Sequence, residues 1–165
     1  MQHLFNKYRP KIKLLQSLLG IFLIAGCSQK MDDSEFYLLS GEKKQIKDYQ
    51  ESWLLINFWA EWCRPCIEEV PILNELQASS EDLNLQVLAF SYEKYSNEEL
   101  HAAAERYQMK YPLVATDPQP VVPFQRPNKL PGLYIYSPDG VQFGPIYGKQ
   151  TRASIGQLIE TLSKQ

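Results

Sequence analysis

Two cysteines, Cys63 and Cys66, stand three positions apart at the junction of two segments with different periodicities. Before them Trp53 to Trp59 is a nearly unbroken apolar run, the pattern of a fully buried central strand. After them Ile67, Val70, Leu73 and Leu76 recur at helical spacing. Pro65 suits the first turn of a helix opening near Arg64, and Glu68 and Glu69 are expected to favour its positive end. Pro71 lies inside the pattern and predicts a kink, because it removes one backbone hydrogen bond. The pair therefore sits where a buried strand turns into a helix, and it can hold a metal, close a structural disulfide or cycle between dithiol and disulfide.

The first two readings are weak. A disulfide closing so short a loop adds only about 2 kcal/mol by chain entropy. A metal would need two more ligands, and no second CxxC or CxxH supplies them. Redox cycling needs only the pair. At the start of a helix Cys63 meets unpaired N–H groups and the positive end of the dipole, which stabilise a thiolate, and Arg64 adds a positive charge. Cys63 is the expected nucleophile. Cys66, one turn further in and more buried, is expected to resolve the mixed disulfide.

The remaining elements follow in a simple order. Residues 35 to 49 read as a brief strand, a turn at Gly41-Glu42 and a second short extended piece. Leu85 to Phe90 is a second buried strand, and Ser96-Asn97-Glu98-Glu99 has the form of a capping box opening a helix to about Gln108. Leu113 to Ala115 is a short strand. Six of the chain's 11 prolines fall from Pro112 to Pro131, which predicts a mainly irregular loop. Leu133 to Tyr136 and Gln142 to Ile146 form a hairpin about Asp139-Gly140, and Thr151 caps a last helix carrying Ile155, Leu158, Ile159 and Leu162. A chain of 165 residues, 44% hydrophobic, suits one domain with this order of elements.

The N-terminus has a different composition. Lys7, Arg9, Lys11 and Lys13 precede an apolar run, Leu14 to Ala25, too short for a comfortable membrane span of about 20 residues. That is the layout of a signal peptide over residues 1–26. The ending Ile24-Ala25-Gly26-Cys27 resembles the bacterial lipoprotein lipobox, which implies lipidation of Cys27 and a short tether over residues 27–34. An uncleaved membrane anchor is the other reading. By the same resemblance Ser28 favours the outer membrane in a Gram-negative source, facing the periplasm. Removing residues 1–26 takes four basic groups and no acidic one from the 17 Lys+Arg and 19 Asp+Glu, leaving 13 against 19. A domain of that balance offers no basic stripe for nucleic acid. It also keeps one histidine, His101, expected on the surface of its helix.

The run "INFWAEWCRPC" resembles the active-site strand and turn of thioredoxins. "NFWA" together with "CRPCIEEVP" is similar to the TlpA-like branch of exported and membrane-tethered thiol-disulfide oxidoreductases, as are "DYQESWLLINFW" and "LYIYSPDG". The resemblance implies an α/β thioredoxin-like fold over residues 35–165, a central mixed β-sheet flanked by helices with an N-terminal strand extension. It implies that Glu69 is an active-site acid relaying a proton for Cys66, where spacing alone allows a solvated glutamate equally well. Pro131 in "KLPGLYIY" falls at the family's cis proline, and Leu130 at the residue that offers its backbone to an extended substrate. Gly132 departs from the Thr that commonly follows that proline. Trp62, Arg64 and Pro65 complete the expected substrate-binding surface, with Trp62 exposed and Trp59 packed beneath it.

The activity implied is disulfide exchange with cysteine-containing exported proteins, with reduction favoured and apocytochrome c one candidate. The electrons would come from a membrane thiol donor. The Cys63–Cys66 disulfide would be the redox centre, with no metal and no organic cofactor, since no glycine-rich phosphate loop follows a strand. Two other functions use the same residues. A copper(I) chaperone would take both thiolates as soft ligands, with Met109 the one methionine in the domain. A thiol peroxidase shares the fold class, but its threonine and cysteine signature is missing.

Overall fold

The computed structural model describes residues 34–164, so the expected signal peptide, Cys27 and nearly all of the tether lie outside the described residues. Seven strands and four helices follow in chain order: β1 (Phe36–Tyr37), β2 (Lys43–Lys44), β3 (Trp53–Trp59), α1 (Arg64–Ala78), α2 (Ser80–Leu83), β4 (Leu85–Ser91), α3 (Asn97–Tyr107), β5 (Leu113–Val114), β6 (Gly132–Tyr136), β7 (Gln142–Tyr147) and α4 (Arg152–Leu162). A 3₁₀ turn, Ile46–Tyr49, joins β2 to β3.

The five longer-range strands make one mixed sheet in the order β5-β4-β3-β6-β7, and β1 and β2 pair as a separate hairpin. β3 runs parallel to β4 and antiparallel to β6, so the apolar run of the sequence is the central strand. The alternation of side chains across β3 divides the core. Leu55 and Trp59 face a cluster with Cys66, Val70 and Leu73 of α1, Leu100 of α3 and Ile155 of α4. Leu54, Ile56 and Phe58 face the other way, onto Phe36, Ile46, Phe90 and Phe124.

The helices α1, α3 and α4 thus share one face of the sheet. Two parallel crossovers, β3-α1-β4 and β4-α3-β5, step in the same direction across the sheet, and right-handed connections then place both helices on the same side. The opposite face is covered by the β1–β2 hairpin, the 3₁₀ turn and the proline-rich loop. Glu35 exchanges two backbone hydrogen bonds of 2.8 Å with Val121 of that loop. Phe124 anchors it, its ring 5.2 Å from Tyr134, 5.6 Å from Phe90 and 6.0 Å from Phe58.

Local chemistry sets the helix starts. Ser96 and Glu99 satisfy each other's backbone N–H groups at α3, and Thr151 and Ser154 do the same at α4. α1 runs continuously through the exposed Pro71 to Ala78. One expectation is corrected here: Glu68 and Glu69 lie beyond the first turn of α1, which contains no acid, so they do not complement its N-terminal dipole. No helix among the described residues is long and apolar enough to cross a membrane.

Candidate active site

Cys63 occupies the N-cap of α1, and its Sγ accepts a hydrogen bond of 3.3 Å from the Cys66 N–H. The two sulfurs are joined, with S–S 2.06 Å and Cα atoms 5.3 Å apart. Cys66 is the deeper of the two, 1% exposed against 4% for Cys63. Arg64 and Pro65 provide the first two helical residues and stand exposed at the surface. The Cys66 N–H at the start of the helix is thus aimed at Cys63 Sγ, a placement that suits a thiolate. The Arg64 charge is partly offset by Glu68, a carboxylate shared by two cations: Arg64 Nε lies 3.1 Å from Glu68 Oε1, and Lys149 Nζ lies 2.8 Å from Glu68 Oε2.

The pairing of Phe58 with Gly132 brings the start of β6 to the end of β3, the end that leads into the cysteines. Pro131, one residue earlier, is buried there, and the Leu130–Pro131 peptide is cis. Leu130 is half-buried between both core clusters, and no hydrogen bond among the described residues engages its backbone. An extended segment of another chain can add to such a backbone as a strand adds to a sheet edge.

Glu69 lies one turn beyond Cys66 and is buried, 4% exposed. Burial pushes its carboxyl up to about 7, opposed by a hydrogen bond from the Gln150 backbone N–H and by the charge of Lys149. Among the described residues its second oxygen has no hydrogen-bond partner, and neither has the buried hydroxyl of Tyr111. The Asn57 amide nitrogen and Trp59 indole nitrogen are unpartnered too, on the face of β3 that α1 covers. A carboxyl that gains and loses a proton near neutrality, one turn from the buried sulfur, suits acid–base work on a thiol.

Trp62 is 63% exposed beside Cys63, and Trp59 is 1% exposed with its indole stacked on Tyr95. The Trp62 orientation is fixed by two groups that the sequence did not single out. Its Nε1 donates to Glu93 Oε1 at 3.0 Å, and its ring meets Tyr92 edge-on at 6.2 Å. Tyr92 and Glu93 follow β4, 30 and 31 residues from Trp62 in sequence, and no local pattern marks them. Gln150 was missed for another reason: it acts through a backbone amide, which every non-proline residue has. His101 is exposed on α3 and Met109 is buried, 9% exposed. Among the described residues no group of three or more His, Cys, Asp or Glu side chains could hold a metal ion.

The chain matches the AhpC/TSA family model over residues 28–141. It is 23% identical over 125 residues to the thiol-disulfide oxidoreductase ResA of Bacillus thuringiensis subsp. konkukian, covering 76% of this chain and 72% of that one. It is 29% identical over 133 residues to the thioredoxin-like protein YneN of Bacillus subtilis, covering 80% and 78%. Among solved structures, a putative thioredoxin from Neisseria meningitidis superposes with a TM-score of 0.63 at 21% identity, covering 79% of this chain and 87% of the other. The pneumococcal exposed lipoprotein thioredoxin of Streptococcus pneumoniae gives 0.60 at 17% identity, covering 77% and 97%. The structural likenesses agree on the thioredoxin fold, and the ResA relative is a thiol-disulfide oxidoreductase by name.

Proposed function

The chain belongs to the AhpC/TSA family and is a thiol-disulfide oxidoreductase, and from that premise we propose that it is a lipid-anchored reductant of the bacterial envelope, working on exported cysteine proteins. The observation that carries the reading is the Cys63–Cys66 disulfide held at the N-terminus of α1, with Pro131 at the same end of the sheet. In the reduced state the Cys63 thiolate attacks a partner disulfide, forming a mixed disulfide and releasing one partner thiolate. Cys66, giving its proton to Glu69, then attacks Cys63 Sγ. The internal disulfide closes and the partner's second sulfur leaves as a thiolate. Two electrons pass to the partner, and a membrane thiol donor restores them.

Trp62, Arg64 and Pro65 form the docking surface around Cys63, and the Leu130 backbone pairs with the partner segment. Reduction of apocytochrome c is one role of this kind. The lipid anchor rests on the sequence ending in Cys27, and on the lipoprotein character of the pneumococcal thioredoxin with the same fold.

The test is a pair of measurements. Cys66→Ser should accumulate mixed disulfides through Cys63, and Cys63→Ser should form none. A reduction potential near or below about −270 mV supports the reductant, and a value near about −120 mV overturns it in favour of an oxidant.

A further inference from the structure

A cavity of about 330 Å³ opens beside Trp62, on the side of the sheet away from α1. Its floor is apolar, formed by Phe58, Phe90, Val114 and Val122, and its rim carries Tyr92, Glu93, Lys94 and Arg126. It is continuous with the docking surface, because two rim residues hold Trp62: Glu93 accepts from the indole N–H and Tyr92 packs against its ring. At this size it takes one or two side chains rather than a large cofactor, being near the lower end of ligand pockets, about 300–1,000 Å³.

The charge of the rim is unbalanced. Glu93 is the single acid lining the cavity, and both its oxygens are occupied, one by Trp62 Nε1 and the other by the Tyr95 hydroxyl at 3.2 Å. Arg126 Cζ lies over the Tyr92 ring, 3.6 Å from its centroid, and among the described residues the guanidinium pairs with no carboxylate. A cation–π contact uses none of the guanidinium's N–H donors in hydrogen bonds, which leaves them for a bidentate carboxylate. Lys94 makes no ion pair among the described residues either. Two uncommitted cations thus border an apolar pocket in a chain whose Asp and Glu outnumber its Lys and Arg by 19 to 17.

We propose that this cavity receives a partner-protein segment flanking the exchanged cysteine, with an apolar side chain on the Phe58–Phe90 floor and a carboxylate on Arg126 and Lys94. The inference rests on the oxidoreductase reading and adds what the site selects. Trp62 touches the rim through Glu93 and Tyr92 and precedes Cys63 in the chain, so a segment crossing it presents its cysteine with its acidic flank already anchored. Selectivity then lies in the proline-rich loop, which carries Arg126 and is held down by Phe124.

Binding and exchange separate the pocket from the chemistry. The full chain, oxidised and in mild detergent, is titrated with two peptides in which Ser replaces the cysteine. One has a Leu and two Glu residues beside it, and the other has Gln in place of each Glu. The acidic peptide should bind about tenfold more tightly, and the preference should shrink as salt rises. Arg126→Gln with Lys94→Gln, both at exposed side chains, should bring the acidic peptide to the level of the neutral one and leave reduction by dithiothreitol at the wild-type rate. Equal binding of the two peptides by the wild type, or a preference that survives the double substitution, overturns the pocket and leaves the oxidoreductase standing. A wild-type pair unreactive toward dithiothreitol would take down both.

Discussion

The backbone N–H of Gln150 donates a hydrogen bond to the Glu69 carboxylate, 81 residues earlier in the chain. Two residues before Gln150, the Gly148 N–H donates to the Pro131 carbonyl at 3.1 Å. One short segment between β7 and α4 therefore touches both the buried acid one turn beyond Cys66 and the cis proline at the start of β6. Lys149, between them, pairs with Glu68 on the outer side of α1. The segment fixes the Glu69 side chain while leaving its second oxygen unpartnered, and that oxygen is the one able to take up a proton.

Stability of the oxidised protein should depend on pH through Glu69. Its carboxyl is raised from the ordinary 4.5 to about 7, chiefly by burial. Between those values the folded chain keeps a proton that the unfolded chain has released, so stability falls as pH rises through the window. The penalty is absent below about 4.5 and nearly complete above about 7, and is on the order of 3 kcal/mol. Urea midpoints at pH 4.5 and pH 7.5 should show the fall in wild type and a smaller one in Glu69→Gln. Parallel profiles for the two proteins would remove Glu69 as the source.

The same substitution should slow one chemical step more than another. Glu69→Gln keeps the shape and the acceptor for Gln150 but takes no proton from Cys66. Release of the mixed disulfide should slow by about 10²-fold, the lower range for general base catalysis, with the first attack by Cys63 nearly unchanged. Stopped-flow reduction of a fluorescent disulfide peptide resolves the two phases. Equal slowing of both would assign Glu69 to general support of the site.

Glu93→Ala should loosen Trp62 without loosening the fold. The hydrogen bond removed is exposed and its acceptor is charged, so the loss in partner binding is about 1.5 kcal/mol at most, roughly tenfold in KM. Stability should stay within about 0.5 kcal/mol of wild type. Acrylamide quenching reports the change against the unmutated protein, since Trp62 is the most exposed tryptophan, Trp53 being half-buried and Trp59 buried. Unchanged quenching and KM would mean that Tyr92 alone holds the indole.

The sequence carried the fold where local chemistry is decisive. The apolar run Trp53–Trp59 is β3 residue for residue, and the Ser96 and Thr151 caps mark α3 and α4 because reciprocal side-chain bonds need particular residues at particular offsets. The short α2 and the 3₁₀ turn escaped, since four-residue elements have too little periodicity to read. The gathering of the helices on one face escaped as well. It follows from strand order, which depends on long-range pairing rather than on any local pattern. The same holds for the site: its cysteines stand three positions apart and are legible there, whereas Glu93 and Gln150 reach it from two other segments.

Phe124→Ala should test whether the proline-rich loop is anchored by one ring. Phe124 is 7% exposed and meets Phe58, Phe90, Tyr134 and Tyr136, so truncation costs about 3–5 kcal/mol if the cavity does not collapse. Phe124→Leu fills most of the space and should cost less than half as much. Denaturant midpoints give both values. A cost near 1 kcal/mol for the alanine variant would mean that the loop is held elsewhere, with the Glu35–Val121 bridge the next candidate.

Gly132, where threonine commonly follows the cis proline in the resembling family, has a reason in the neighbouring loop. A Cβ at this position would lie 2.8 Å from both Cβ and Cγ of Pro127 and 3.1 Å from the Lys129 carbonyl. Pro127 is a buried ring that cannot swing aside, so the loop and the side chain compete for one space. Gly132→Thr should destabilise the protein by about 1–3 kcal/mol, the range for overpacking. Pro127→Gly removes both ring atoms, at its own cost in loop rigidity, and the double variant should then be more stable than the sum of the single effects predicts. A coupling of about 1 kcal/mol or more in a double-mutant cycle, read from denaturant midpoints, is the expected result. Simple additivity would show that Pro127 does not exclude the threonine, and would leave the Lys129 carbonyl as the obstacle.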